Sequence, residues 1–284
     1  MEIVREKAKM RAIVEKARAS GRLVGVVPTM GYFHEGHLEL MRRARVECDL
    51  VVVTLFVNPT QFAPGEDFED YPRDFERDCA MAESVGVDCV FNPSAEEMYP
   101  EGFSTFVEVE RLSDVMCGSS RGGHFRGVAT VVSKLFNIVP AQKAYFGQKD
   151  GQQLAVLRRM VADLDFAVEV IVVSTVREED GLAMSSRNTY LSPKDRMSAL
   201  ALIQALRRAS EMIETGERSS DAIIREMEGI FARFPDVNLE YISICDNIYL
   251  KPLHELEGEV LVAVAARVGR TRLIDNMVFE IEIE

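Results

Sequence analysis

The sequence predicts an α/β fold: an open parallel sheet with helices on both faces, followed by a smaller C-terminal α+β domain. Two observations predict it. From residue 23 to residue 173, short β-branched runs alternate with helix-periodic segments, which is the pattern of repeated βαβ crossovers. After about residue 176 the alternation stops, and two helix-like stretches precede three strand-like runs. The expected domains are therefore residues 1–176 and 177–284.

Each element has a local reason. Residues 23–27 (Leu-Val-Gly-Val-Val) read as a short buried strand ending at Pro28. From Gly36 to Cys48, Leu38, Met41, Ala44 and Cys48 fall on one helical face. Leu50 to Val57 is a β-branched run without polar alternation, as in a strand buried on both faces. Asp74 to Ser84 is helix-like and Val87 to Phe91 strand-like, with a short strand expected at Phe106 to Val109. Helices at Val128 to Val139 and Gln152 to Leu164 alternate with strands at Lys143 to Phe146 and Val168 to Val173. The second domain has helices at Lys194 to Thr215 and Ser220 to Phe234, then strands at Leu239 to Ile244, Val260 to Val268 and Met277 to Ile283. In a parallel sheet of this kind, ligands bind at the carboxyl ends of the strands.

Composition narrows the function. Apolar residues make up 47% and charged residues 28%, ordinary for a soluble enzyme. The five cysteines are widely spaced with no C-x-x-C pair, as expected of buried thiols in a reducing compartment. The opening residues have no apolar stretch of the secretory kind, and no apolar run is long enough to span a bilayer. A cytoplasmic location without membrane partners is the expectation. The net charge of −13 disfavours nucleic-acid binding. A polyanionic ligand would need cations concentrated in Gly- and Ser-rich loops.

Two loops carry such chemistry. After the first strand comes Met30-Gly31-Tyr32-Phe33-His34-Glu35-Gly36-His37. A helix start attracts anions through its free N–H groups, and histidines there can donate to phosphate oxygens. The zinc-hydrolase motif H-E-x-x-H places its histidines four apart, whereas His34 and His37 are three apart. Taken alone, the motif is equally a pair of structural histidines capping a turn. The second loop is Gly181-Leu182-Ala183-Met184-Ser185-Ser186-Arg187-Asn188. Two hydroxyls and a guanidinium form a natural phosphate clamp, although in isolation it also reads as a polar turn before Pro193.

H-x-G-H after the first strand with M-S-S-R after the last is the signature pair of adenylyl-transferring Rossmann-like enzymes. Phe56-Val57-Asn58-Pro59-Thr60-Gln61-Phe62, His124-Phe125-Arg126-Gly127-Val128 and Tyr145-Phe146-Gly147-Gln148-Lys149-Asp150 add to it. With them the chain resembles the pantothenate synthetase family (pantoate–β-alanine ligases) along nearly its whole length, least after residue 195.

The resemblance implies ATP-dependent condensation of (R)-pantoate with β-alanine through pantoyl adenylate, with Mg²⁺, in a homodimer. It implies an ATP segment from Met30 to His37, with His37 as proton donor and His34 and His37 orienting phosphate. Gly147, Gln148, Lys149 and Asp150 would form a second ATP segment, with Lys149 on phosphate and Asp150 on ribose. Val176 would touch adenine, and Met184, Ser185, Ser186 and Arg187 would close over the phosphates. Gln61 and Gln153 would bind pantoate, and Gln61 also β-alanine. Read without the resemblance, Gln153 is an ordinary helix-surface glutamine.

Several residues stay outside this site. His124 reads as a loop or interface residue and not a ligand, and the motif alone assigns it no mechanistic role; Asn58-Pro59-Thr60 fails as a glycosylation sequon because of its proline. Asp74 and Asp78 are acidic candidates for positioning Mg²⁺, but that ion is often held by phosphates and water. Many relatives in the wider superfamily carry lysine where this chain has Ala183, which makes Lys149 the main expected ammonium group. Two rival functions are another adenylyltransferase of the same fold, acting on phosphopantetheine or nicotinamide mononucleotide, and a nucleotide sensor without turnover.

Overall fold

The computed structural model describes residues 1–282. Six parallel strands form the larger sheet: β1 (Glu2–Val4), β2 (Val24–Thr29), β3 (Leu50–Leu55), β4 (Cys89–Phe91), β5 (Lys143–Gly147) and β6 (Glu169–Val173). Their spatial order is β1-β4-β3-β2-β5-β6. The chain winds outward from β2 through β3 to β4, then restarts on the other side of β2 with β5 and β6. The reversal between β2 and β5 is the topological switch point, where such sheets bind ligands.

The helices are α1 (Lys7–Ala19), α2 (Glu35–Glu47), α3 (Phe75–Ser84), α4 (Ala95–Met98), α5 (Cys117–Ser120), α6 (His124–Ile138) and α7 (Gly151–Asp163). Strand residues two apart share a face. Val51 and Val53 of β3 therefore point with Val27 and Val90 into one core, closed by Leu38, Met41 and Ala44 of α2 and Ala82 of α3. Val26 and Val52 point to the other face and are also fully buried. On α1, Met10, Val14 and Ala17 supply the buried stripe. Each fully buried aliphatic side chain of this kind contributes roughly 1.5–3 kcal/mol.

The smaller sheet is antiparallel, ordered β7 (Val237–Asp246), β8 (Gly258–Val268) and β9 (Thr271–Ile281). A tight turn opened by Gly269, at φ +56°, joins β8 to β9. Such turns favour glycine because its backbone must twist with the strands. Helices α8 (Pro193–Glu214) and α9 (Ser220–Phe231) start at serine caps, Ser192 and Ser219. Their apolar faces, including Leu202, Leu206, Ile223 and Met227, pack with Val260, Val262 and Val264 of β8.

Chain contacts gather into two compact units. The first comprises Met1–Asp114, Gly118–Gly147 and Val156–Ser174, and the second Val115–Cys117, Gln148–Ala155 and the chain from Thr175 onward.

The predicted parallel sheet and α+β region are both present. The strand expected at Phe106 to Val109 is not formed. There the Val107 N–H donates to Thr130 Oγ1 at 2.9 Å instead of to a strand, and Arg126 stacks 3.8 Å over the Phe106 ring. A side-chain acceptor and an aromatic contact on α6 have replaced a ladder. The helix expected from Val128 starts earlier, at His124. The last expected strand extends to residue 283, which lies outside the described residues.

Candidate active site

The loop after β2 has an unusual backbone. Gly31 lies at φ +91° and Tyr32 at φ +53°, a left-handed pair in which a tyrosine is costly by roughly 1–3 kcal/mol. Asp78 of α3, 1% exposed, holds it. One carboxylate oxygen accepts from Tyr32 N–H at 2.6 Å and the other from Phe33 N–H at 2.7 Å. Arg77 donates to the Phe33 carbonyl at 2.9 Å and lies 5.1 Å over the Tyr32 ring. Burial pushes the Asp78 carboxyl up, while the two N–H groups and Arg77 favour its charged form. A carboxylate satisfied by backbone in this way is a loop anchor, not an open metal ligand.

The loop delivers His34 to the N-cap of α2. The His34 N–H donates to Nδ1 of His37 at 3.3 Å, and the two rings stand 4.1 Å apart. A neutral His37 that accepts at Nδ1 carries its proton on Nε2, where it can act as a donor. Both histidines are half-buried at a helix start. Glu35 turns along the helix to pair with Arg42.

The turn after β3 is held by neutral groups. Asn58, 1% exposed, accepts at Oδ1 from the Tyr99 hydroxyl at 2.7 Å and from the Thr60 hydroxyl at 3.0 Å. Its Nδ2 donates to Gln61 Oε1 at 3.1 Å and to the Gly127 carbonyl at 3.2 Å. Gln61 Nε2 reaches Met30 Sδ at 3.0 Å. Two predicted site residues, Met30 and Gln61, are thus in contact across the ends of β2 and β3. At the end of β5, a Cβ added to Gly147 would meet nothing within 4 Å, so packing does not require glycine there.

The second unit contains the remaining candidates. Asn276 of β9 donates to the carbonyls of Gln148 and Lys149 at 2.9 and 2.8 Å, and accepts from the Gln148 amide at 2.9 Å. This fixes the turn that carries Lys149, whose ammonium lies 3.6 Å from Asp150. The two glutamines that open α7 differ. Gln152 is buried and braces the chain at Val115 and Cys117, whereas Gln153 is half-buried beside it. Val176 and Met184 are joined by a backbone hydrogen bond of 3.0 Å, as the ends of a small reversal around Gly181. Ser185 caps the next turn by accepting from Arg187 N–H at 3.3 Å, and Ser186 is buried within it. Ala183 is buried, with its carbonyl taken by Asn188 at 3.1 Å.

The anchoring roles of Asp78, Asn58 and Asn276 do not follow from the sequence, which offers Asp78 only as an acidic candidate for Mg²⁺. The Asn-Pro-Thr triplet carried a turn signal at Asn58. Nothing local marks the other two, because their partners are far away in the chain.

Among the described residues, no group of three or more His, Cys, Asp or Glu side chains is arranged to hold a metal ion, and no helix is long and apolar enough to cross a membrane.

Comparison with known proteins matches this arrangement along its whole length. The family model described as pantoate-beta-alanine ligase covers residues 2–278. The chain is 55% identical to pantothenate synthetase of Moorella thermoacetica over 99% of both chains. It is 56% identical to that of Heliobacterium modesticaldum over 99% of this chain and 100% of the relative. Among solved structures, pantothenate synthetase from Thermus thermophilus superposes with TM-score 0.93 at 49% identity, covering 98% of this chain and 99% of that one. The Francisella tularensis pantoate-beta-alanine ligase, complexed with beta-gamma ATP and beta-alanine, gives TM-score 0.80 at 31% identity, covering 98% and 97%.

Proposed function

Because the chain belongs to the pantoate–β-alanine ligase family, we propose that it joins (R)-pantoate to β-alanine at the expense of ATP, forming pantothenate, AMP and pyrophosphate. The observation that carries this reading is the full-length family match combined with an H-x-G-H loop at the β2/β5 switch point.

The reaction runs in two steps because a carboxylate is a poor acyl donor at neutral pH. A pantoate carboxylate oxygen attacks the α-phosphorus, the bond to the bridging oxygen breaks, and pyrophosphate leaves. The β-alanine amine then attacks the acyl carbon of pantoyl adenylate and expels AMP. Charge on the phosphates is the main thing to stabilise. The Nε2–H of His37 suits that task, with His34 beside it at the positive end of α2. His37 also suits proton donation to the departing phosphate oxygen.

Lys149 supplies an ammonium to the phosphates and Asp150 an acceptor for ribose hydroxyls. Gly147 leaves room for close approach, and Gln148 holds the turn. Val176 packs on adenine, and Met184 to Arg187 close on the triphosphate. Gln61 and Gln153 hold pantoate through neutral amides, and Gln61 also meets β-alanine.

No acidic cage for a cation is present among the described residues, and Asp78 is occupied by backbone N–H groups. Mg²⁺ is commonly carried on nucleotide phosphates and water, where it would supply charge neutralisation. We assign residues 1–176 to ATP and pantoate binding and 177–284 to a lid, which would keep water from the adenylate. The enzyme works as a cytoplasmic homodimer in this reading, as expected from its cysteine usage and its family.

ATP–pyrophosphate exchange tests the proposal. Exchange is expected to require pantoate, and exchange that needs a nucleotide acceptor instead would overturn it. Lys149→Ala is expected to lower exchange by more than about 100-fold, the scale of losing a group that stabilises transition-state charge, with the fold intact by circular dichroism. Near-normal pyrophosphate release from this variant would remove Lys149 from the phosphates.

A further inference from the structure

We propose that His124 is a positioning residue for the acid-binding turn: it clamps the backbone carbonyl of Gln61 and links it to the Arg121–Glu66 ion pair. This rests on the assignment of Gln61 to pantoate.

The geometry defines each proton. His124 Nε2 lies 3.1 Å from an Arg121 nitrogen. A guanidinium can only donate, so a neutral imidazole accepts at Nε2 and carries its proton on Nδ1. That Nδ1 lies 2.8 Å from the Gln61 carbonyl oxygen and donates to it. Arg121 is itself fixed by a two-pronged pair with Glu66, with both nitrogen–oxygen distances 2.7 Å. Bidentate Arg–carboxylate pairs restrict orientation as well as distance. Its side chains are largely buried, at 15% and 22% exposure, so the anchor is shielded from competing water.

The same helix presses on the same turn. A Cβ at Gly127, one helical turn beyond His124, would stand 2.2 Å from the Thr60 carbonyl oxygen. Glycine lets α6 touch the backbone, and His124 then ties the two together. The H-F-x-G segment is thus a two-point grip on residues 59–61, one point steric and one a hydrogen bond. Gln61 has a flexible side chain, and the clamp removes the backbone part of that freedom. An ångström of misplacement in such a group costs on the order of 100-fold.

His124→Phe keeps the ring volume and removes both hydrogen bonds. His124→Asn keeps a donor near the Nδ1 position. Initial rates are measured with pantoate, ATP and β-alanine varied in turn. His124→Phe is expected to raise KM for pantoate about 10-fold with KM for ATP within about twofold, and His124→Asn to recover most of the loss. Arg121→Gln leaves the ring in place but unties it from Glu66, and is expected to shift KM for pantoate the same way by a smaller factor. It decides the matter alone if His124→Phe does not fold.

Equal effects on both substrates, or no recovery by asparagine, would reduce His124 to a structural residue and overturn the inference. Pantoate-dependent exchange by the unmodified enzyme is measured alongside. Its absence would defeat the functional assignment itself, whereas its presence with an unshifted KM for pantoate would defeat only the clamp.

Discussion

The two ends of the six-stranded sheet use polar side chains for different purposes. At the amino end, they satisfy strands as they begin. Asp49 accepts from the Leu23 N–H at 2.8 Å, Asp88 from Val51 at 2.8 Å and Gln142 from Val24 at 2.9 Å. Glu47 gathers Lys143 at 2.8 Å and the Tyr145 hydroxyl at 3.0 Å, and that hydroxyl also lies 3.2 Å from Cys48 Sγ. Burial pushes both the Cys48 thiol and the Tyr145 phenol up, so they remain neutral members of a closed cluster. At the carboxyl end, Asp78 and Asn58 hold loops in conformations that regular structure does not need. Tyr32 at positive φ is the clearest case. Backbone strain that persists under two buried hydrogen bonds indicates a loop selected for its shape. The amino end therefore serves stability, and the carboxyl end holds shaped loops where the proposed site would bind its substrates.

Among variants that probe the two ends, the largest effect is expected from Gly127→Ala. The new methyl would overlap the Thr60 carbonyl at 2.2 Å, and a backbone atom cannot yield as a side chain does. A loss of about 1–3 kcal/mol in stability is expected, together with a loss in kcat/KM for pantoate on the order of 100-fold. Thermal melting and steady-state rates on the same sample separate the two. A stability loss without the kinetic loss would remove the distinction between the ends. Asp78→Asn comes next. The amide keeps the shape but offers one acceptor where two N–H groups need one each, leaving a buried donor unmet at about 1–3 kcal/mol. KM for ATP is expected to rise about 10-fold by displacement of the His34–His37 pair, with KM for β-alanine little changed. A uniform fall in active fraction with unaltered KM values would make Asp78 an amino-end type of residue in the wrong place.

Much of this division was legible beforehand, for reasons that particular residues explain. The H-x-G-H loop follows a β-branched run and precedes a helical stripe, so its place at a strand end was readable from periodicity. The strand β1 leaves no mark in the sequence. It is three residues long and mostly exposed at the sheet edge, leaving no pattern to detect. The helix α1 hides its stripe of Met10, Val14 and Ala17 among lysines and arginines. The anchors were the least legible. Asp78 meets Phe33 across 45 positions, and Asn276 meets Lys149 across 127. Their side chains act on backbone groups, which every residue possesses, so no local combination of residue types announces them. His124 was visible as part of a motif, but its partner is the main-chain carbonyl of Gln61.

Glu47→Gln gives the smallest effect and the sharpest test of the amino end. Hydrogen bonds from Lys143, then Arg43 and Tyr145, hold the Glu47 carboxyl at about 2, against its ordinary 4.5, despite the opposing effect of burial. Because the folded-state value is the lower one, the charged form stabilises the fold above about pH 4.5. That contribution fades as pH falls toward 2 and the carboxylate takes up a proton. Glutamine cannot titrate, so the variant should melt a few degrees below the unmodified protein at pH 7, and the two curves should converge at acid pH. Solvent screens ion pairs near the surface, which keeps the shift modest. Thermal melts from pH 7 down to pH 2 measure the convergence, and rates at pH 7 supply the other half of the test. All three KM values are expected to stay within about twofold, since the cluster touches strand starts and no loop of the site. A KM for ATP or pantoate that rose as it does for Asp78→Asn would mean that the two ends are coupled through the strands, and the division between them would not stand.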